Sequence, residues 1–155
     1  MRRFREGREG RWEEVEVRGY KDEPESFRGV TRQRLFGPES GIAAELRYFE
    51  IEPGGWSSLE RHEHAHAVMV LRGRGAALVD PEVRHVAPFD LIRVPPRTWH
   101  QLRAAEDAPL GFLCLVDPER DAPERPSAEE LEEIRRRPGV AEFLRGRAGF
   151  VEEGR

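Results

Sequence analysis

The chain has little of what stabilises secreted or membrane proteins: one cysteine, Cys114, and no apolar run near the roughly 20 residues that cross a bilayer. A single cysteine excludes an internal disulfide and so excludes small disulfide-stapled folds. The charged N-terminus is not followed by the apolar stretch of a secretory signal. We therefore expect a cytoplasmic protein without a membrane partner.

An excess of charge of one sign is also missing. The 26 basic and 30 acidic residues leave a formal net charge of -4. A protein that binds nucleic acid usually carries a basic patch or a basic net charge, so no nucleic-acid partner is expected. The 155 residues suffice for one domain with tails but not for two cores of ordinary size.

Composition divides the chain into three parts. Residues 1–29 form a charged arm that we expect to be loose, and residues 117–155 begin with a proline-rich linker and then turn helical. Ser127 and Glu130 have the spacing of a capping box, which marks a helix start, and Pro138 and Gly139 mark its end. A second short helical turn is expected around Phe143.

The middle part, residues 30–116, consists of short apolar or alternating runs separated by Gly and Pro. Such spacing predicts an all-β fold, an antiparallel sandwich or barrel. The predicted strands are residues 30–36, 43–51, 59–63, 66–72, 75–80, 83–86, 90–94, 99–103 and 110–116.

Four of the five histidines lie in two short stretches, at His62, His64, His66 and His100. In a strand, Glu60, His62 and His64 would share one face, and a neighbouring strand would bring His66 back toward them. Imidazole and carboxylate ligands together suit first-row divalent ions such as Zn, Fe, Mn, Ni or Co. These residues therefore predict a metal site.

The stretch from Gly54 to Gly73 resembles the first sequence motif of the cupin superfamily. That motif runs Gly, five residues, His, one residue, His, three or four residues, Glu, six residues, Gly. Its spacings put Glu60 at the first His, His62 at the second and His66 at the Glu. The departures from the motif are a glutamate at the first ligand position and a histidine at the third.

Residues 90–101 resemble the second cupin motif, with Pro95 and His100 at matching positions, although its glycines and asparagine are replaced. The resemblance implies a double-stranded β-helix, or jelly-roll barrel, with short C-terminal helices added. It also implies one divalent metal ion held by Glu60, His62, His66 and His100. His64 is the alternative to Glu60 as fourth ligand.

Three further residues are candidates for the substrate pocket, each with a plainer alternative. Arg97 is either a clamp for a substrate anion or an exposed turn residue. Cys114 either lines the pocket or is an inert buried thiol. Tyr48 belongs either to the core or to the pocket wall.

The resemblance implies a small-molecule ligand and, for an enzyme, a metal-dependent dioxygenase-like oxidation. Two alternatives stay open: a ligand-binding or sensor protein without turnover, and a metal-dependent isomerase. A homodimer is expected, because small cupins are commonly dimers and open sheets need cover. Met69, Leu71 and Trp99 are candidates for the dimer face, unless the arm and the C-terminal helices cover the sheet within one chain.

Overall fold

A computed structural model describes residues 1–7, 10–19 and 26–146. Within these ranges lie eleven strands, a short 3-10 turn at Pro38–Ser40 and two α-helices. The strands are β1 Phe4–Arg5, β2 Arg11–Trp12, β3 Arg18–Gly19, β4 Arg28–Phe36, β5 Glu45–Trp56, β6 His66–Gly73, β7 Gly75–Val79, β8 Glu82–Val86, β9 Leu91–Val94, β10 His100–Ala104 and β11 Leu110–Val116. The helices are α1 Ala128–Arg135 and α2 Val140–Leu144.

The main sheet is antiparallel and curls into a barrel. Its strand order is β8-β7-β10-β5-β11-β6-β9, and β4 pairs with β5 and β3 beside this path. The long strand β5 pairs with β4 and β11 along its first half and reaches β10 through Trp56 at its end. The predicted all-β barrel is confirmed. Among the described residues, no helix has the length and apolar character to cross a membrane.

Alternation along the strands sorts side chains between the inside and the outside of the barrel. Phe49 and Ile51 of β5 point inward with Phe112 and Cys114 of β11, because paired residues of antiparallel strands share a face. They belong to the main core, whose buried members are Val30, Phe49, Ile51, Val68, Val70, Ala77, Val86, Leu102, Ala104, Leu110, Phe112, Cys114 and Val116.

The predicted strand over residues 59–63 is replaced by two isolated bridges. Glu60 pairs with His100, and Arg61 pairs with Glu124 of the C-terminal segment. The histidine-rich stretch therefore leaves the regular ladder after β5, and His66 re-enters it as the first residue of β6.

The C-terminal helices form a second core on the outside of the barrel. The Ser127 side chain accepts a hydrogen bond from the Glu130 N–H, and the Glu130 side chain accepts one from the Ser127 N–H, so the predicted capping box is present. The buried members of this core are Leu59, Ala76, Leu78, Trp99, Ile134, Val140 and Phe143. Trp99 thus packs within its own chain.

The described part of the N-terminal arm lies on the sheet, although its charged composition predicts a loose segment. The Phe4 ring is 5.4 Å from the rings of Trp12 and Tyr48, measured between centroids. The Gln33 side chain of β4 donates to the Gly10 carbonyl (2.9 Å) and accepts from the Trp12 N–H (2.8 Å). Two aromatic residues and one buried amide therefore anchor the arm.

Candidate metal centre

Three histidines from separate parts of the chain meet at one end of the barrel. His62 comes from the loop after β5, and His66 and His100 begin β6 and β10. Each offers one ring nitrogen, and these three atoms lie within 4.8 Å of one another. The structure thus brings together three of the four residues that the sequence predicted as metal ligands.

Backbone carbonyls orient two of these rings. His62 Nδ1 lies 2.7 Å from the His64 carbonyl oxygen, and His100 Nδ1 lies 2.9 Å from the Thr98 carbonyl oxygen. A hydrogen bond from Nδ1–H to a carbonyl leaves the lone pair on Nε2, the arrangement found in histidines that bind metals.

The buried Nε2 atoms of His62 and His66 have no hydrogen-bond partner among the described residues. Buried polar atoms are normally paired, so two unpaired nitrogens in one cluster call for a missing partner. Nitrogen donors of this type suit a first-row divalent ion. The site therefore fits a divalent first-row metal ion.

Burial favours the neutral form of the His62 and His66 imidazoles. Burial, together with the neighbouring His100 and His64, lowers the pKa of His62 to about 4. Burial also lowers the pKa of His66. A metal binds only the unprotonated nitrogen, so the cluster is ready for a cation at neutral pH.

Glu60 lies beside the histidines without belonging to the close cluster. Its backbone is tied to His100 by N–H to carbonyl hydrogen bonds of 3.2 and 3.0 Å, one in each direction. Its side chain is 7% exposed and lines a cavity together with His66 and His100. Glu60 therefore lies at the edge of the site.

His64 lies on the other side of His62, also outside the close cluster. Its ring stacks on the His62 ring at 3.7 Å, and its Nδ1 is 2.7 Å from Asp121 Oδ1. Hydrogen bonds from the Glu63 N–H and from His64 lower the pKa of Asp121 to about 2. The paired carboxylate holds His64 toward the C-terminal segment.

Cys114 lines the same cavity as His66, His100 and Glu60. The remaining walls are Val30, Phe49, Ser57, Ser58, Val68, Val94, Leu102 and Phe112. Burial raises the pKa of the thiol, while the hydrogen bond and charge of Arg47 oppose that effect. The cavity thus combines a metal-type cluster, a carboxylate and a thiol within mostly apolar walls.

Tyr48 and Arg97 lie apart from this cavity. Tyr48 has the opposite parity to Arg47 and Phe49, so its side chain lies under the N-terminal arm, where its hydroxyl donates to Glu50. Arg97 is exposed and pairs with Glu63 (2.6 Å) and Glu124 (3.3 Å).

Sequence reasoning missed Arg47, which is 8% exposed and points into the barrel beside Cys114. Its position two residues before Phe49 was the available signal, because both then lie on one face of β5.

Comparison with known proteins agrees with this architecture. The Cupin domain family matches residues 47–116. A crystal structure of a cupin-2 domain protein from Rhodospirillum rubrum has a TM-score of 0.85 and 52% identity, over 90% of this chain and 93% of that one. A cupin 2 conserved barrel domain protein from Rhodopseudomonas palustris has a TM-score of 0.80 and 48% identity, over 86% and 92% of the two chains.

One relative carries the name of an enzyme. The Rhodospirillum rubrum protein called 1-methylthio-D-xylulose 5-phosphate methylsulfurylase is 52% identical over 140 residues, which span 90% of this chain and 89% of the relative.

Proposed function

The chain belongs to the cupin family, and from this membership we propose that it is a metal-dependent enzyme that removes the methylsulfanyl group from a methylthio-ketose phosphate. The observation that carries the proposal is the position of Cys114, the one thiol of the chain, in the same cavity as His66 and His100. The name of the enzyme at 52% identity supplies the substrate class.

His62, His66 and His100 would hold one divalent first-row ion, Fe, Mn, Ni, Zn or Co, with Glu60 as the fourth ligand and His64 as the alternative. Such an ion acts as a Lewis acid that polarises a ketone carbonyl. The unpaired Nε2 atoms of His62 and His66 support this assignment.

Cys114 would act as the nucleophile. A thiolate is the side chain suited to attack at sulfur, and exchange at sulfur proceeds through a new S–S bond. Cys114 Sγ bonds to the methylthio sulfur, the carbon–sulfur bond breaks, and its electron pair passes to the carbon next to the ketone. The proton that the Cys114 thiol gives up to become a thiolate completes the methyl group of the product.

A second thiol, supplied as co-substrate, restores the enzyme. It attacks the methyl disulfide on Cys114, leaves with the methylsulfanyl group as a mixed disulfide, and returns the Cys114 thiolate. A free thiol nucleophile requires a reducing compartment, which agrees with the predicted cytoplasmic location.

The test is turnover of 1-methylthio-D-xylulose 5-phosphate by protein loaded with each candidate metal, in the presence of dithiothreitol. Without the second thiol, mass spectrometry of the intact protein is expected to find a methylsulfanyl adduct on Cys114. Cys114→Ser is expected to keep the metal and lose turnover. Turnover by Cys114→Ser would refute the role of the thiol, and no turnover by any metal form would refute the reaction.

The same protein distinguishes the other predicted functions. Oxygen consumption with a small organic substrate would favour the dioxygenase-like oxidation, and interconversion of sugar phosphates without sulfur release would favour an isomerase. Ligand-induced stabilisation without any turnover would favour a sensor or binding protein.

A further inference from the structure

Arginines gather at the end of the barrel that holds Cys114. Arg32 of β4 is opposite Phe49 of β5, and Arg47 of β5 is opposite Cys114 of β11. Paired residues share a face, so Arg32 and Arg47 point to the inner side with the core residues. Arg120, from the segment after β11, joins them through Glu45, which lies on the same face of β5 as Arg47. We call Arg32, Arg47 and Arg120 the arginine cluster.

Arg47 is the innermost member of the arginine cluster. Its guanidinium carbon lies 5.1 Å from the centre of the Phe49 ring, and its Nη2 lies 3.4 Å from Cys114 Sγ. Its Nε is buried without a hydrogen-bond partner among the described residues and is 3.6 Å from Glu45 Oε1. A buried charge with an unused donor is costly unless something else pairs with it.

One carboxylate serves several of these arginines. Glu45 Oε1 is 3.1 Å from Arg120 Nη2 as well as 3.6 Å from Arg47 Nε, and its Oε2 is 3.2 Å from Arg34 Nε. Arg34 has a second partner in Glu39. Glu45 is thus left to balance both Arg47 and Arg120, so positive charge is in excess.

Arg32 adds to this excess. Its backbone is paired in the sheet, but its side chain makes no hydrogen bond or ion pair with another residue in the part of the chain that the structure describes. Burial lowers its pKa, and so do the charges of Arg47 and Arg120, whereas the charge of Glu45 raises it. An anion placed among the three guanidinium groups would offset both the burial and the repulsion.

We propose that Arg32, Arg47 and Arg120 bind the phosphate group of the substrate, at the end of the barrel next to Cys114. The proposal rests on the proposed function, which supplies a phosphorylated substrate. A phosphate monoester carries about two negative charges and several acceptor oxygens, and guanidinium groups match that geometry with paired N–H donors. Arg120 and Arg32 are partly exposed and form the outer part of the subsite, with Arg47 behind them.

The test uses Arg32→Gln and Arg120→Gln, which alter partly exposed side chains, and Arg74→Gln as a matched control. Arg74 is an exposed arginine in the turn between β6 and β7, and it pairs with Asp107. Calorimetric binding is measured on metal-loaded protein with inorganic phosphate, D-xylulose 5-phosphate and D-xylulose. Metal content and melting temperature establish that each variant is folded.

We expect wild-type protein and Arg74→Gln to bind D-xylulose 5-phosphate more tightly than D-xylulose. Arg32→Gln and Arg120→Gln are expected to weaken the binding of both phosphate probes about tenfold and to leave D-xylulose binding unchanged. Arg47→Lys keeps the charge but loses the paired donors, and it is expected to weaken both phosphate probes as well.

Unchanged affinity for inorganic phosphate in Arg32→Gln and Arg120→Gln would overturn the subsite. So would equal affinity of the wild type for the phosphorylated and unphosphorylated ketose. Both results leave the sulfur chemistry of Cys114 untouched. Conversely, phosphate binding that these variants lose, in a protein that never removes a methylsulfanyl group, would uphold the subsite and refute the proposed reaction.

Discussion

His62 and His66 each keep a buried ring nitrogen that no described residue satisfies. An unsatisfied buried polar group costs about 1–3 kcal/mol, and bulk water does not reach these atoms to repay it. The burial that lowers the pKa of both rings also prevents protonation from resolving the problem at neutral pH. A bound cation would satisfy both nitrogens together, so metal binding and folding stability should be coupled.

The fourth ligand is testable with two single substitutions. We expect Glu60→Gln to lower metal affinity by about tenfold or more, because its carboxylate shares the cavity with His66 and His100. His64→Gln should retain the metal, because Asp121 holds that ring toward the C-terminal segment. The measurement is metal per chain after dialysis against a weak chelator.

Glu63→Gln is the matched control, since Glu63 is an exposed neighbouring carboxylate that pairs with Arg97. Retention of metal by Glu60→Gln together with its loss from His64→Gln would reverse the assignment of the fourth ligand.

At the residue scale, the sequence predicted the site residues whose spacing along the chain matches a metal-binding motif. The intervals between His62, His66 and His100 place three ligand-type nitrogens together, and the structure brings them within 4.8 Å. The arginine cluster has no such motif. An arginine in an alternating strand is normally taken as exposed, and the partner that Arg47 contacts inside the barrel, Cys114, lies 67 residues further along the chain.

At the scale of elements, the turn after β6 fixes how β6 meets β11. Gly73 has a φ of 71°, and a Cβ there would lie 1.7 Å from the Pro109 carbonyl oxygen. Gly73 also pairs with Leu110, the first residue of β11. The close approach of two backbones, and not only the positive φ, therefore requires glycine at this position.

Gly73→Ala is expected to lower the free energy of unfolding by about 3 kcal/mol or more, because the Pro109 backbone must move. Gly41→Ala is the control: Gly41 has a φ of 78° but nothing within 4 Å of an added Cβ. The loss of unfolding free energy in Gly41→Ala should come from backbone strain alone and amount to about 1 kcal/mol. Urea unfolding at fixed metal concentration measures both, and equal losses would contradict the contact argument.

The secondary-structure elements that the sequence predicted are those whose signal lies within a few neighbouring residues. The capping box of Ser127 and Glu130 is contained in four residues, and the structure shows both of its hydrogen bonds. The packing of the N-terminal arm on the sheet was not predictable, because Phe4 and Trp12 contact residues of β5 and β4 that are distant in sequence. The break of the ladder at residues 59–63 likewise depends on a distant partner, Glu124.

At the scale of the whole molecule, one apolar surface lies on the outside of the barrel next to the edge strand β9. Leu91 is opposite Met69, and Met69 is opposite Leu113, so the three share the outer face. Leu91 is 79% exposed, and Phe89 just before it is 77% exposed. Exposed apolar side chains on an edge strand are a surface that natural sheets usually cover.

The segments that cover the sheet in the described part of the chain do not lie on this apolar surface. The N-terminal arm sits over Tyr48, and the C-terminal helices pack on Trp99, which removes Trp99 from the predicted dimer face. Met69 remains as a candidate beside Leu91. The expected homodimer would therefore form through β9 and the outer face of β6.

Leu91→Arg is expected to convert a dimer into a monomer, because a charge would replace a large apolar side chain at the centre of that surface. Ile42→Arg is the matched control, since Ile42 is also an exposed apolar residue, at 48%, but follows the 3-10 turn before β5. Light scattering after size-exclusion chromatography measures the mass of each. A monomeric wild type, or a dimer that survives in Leu91→Arg and dissociates in Ile42→Arg, would show that this face is not the interface.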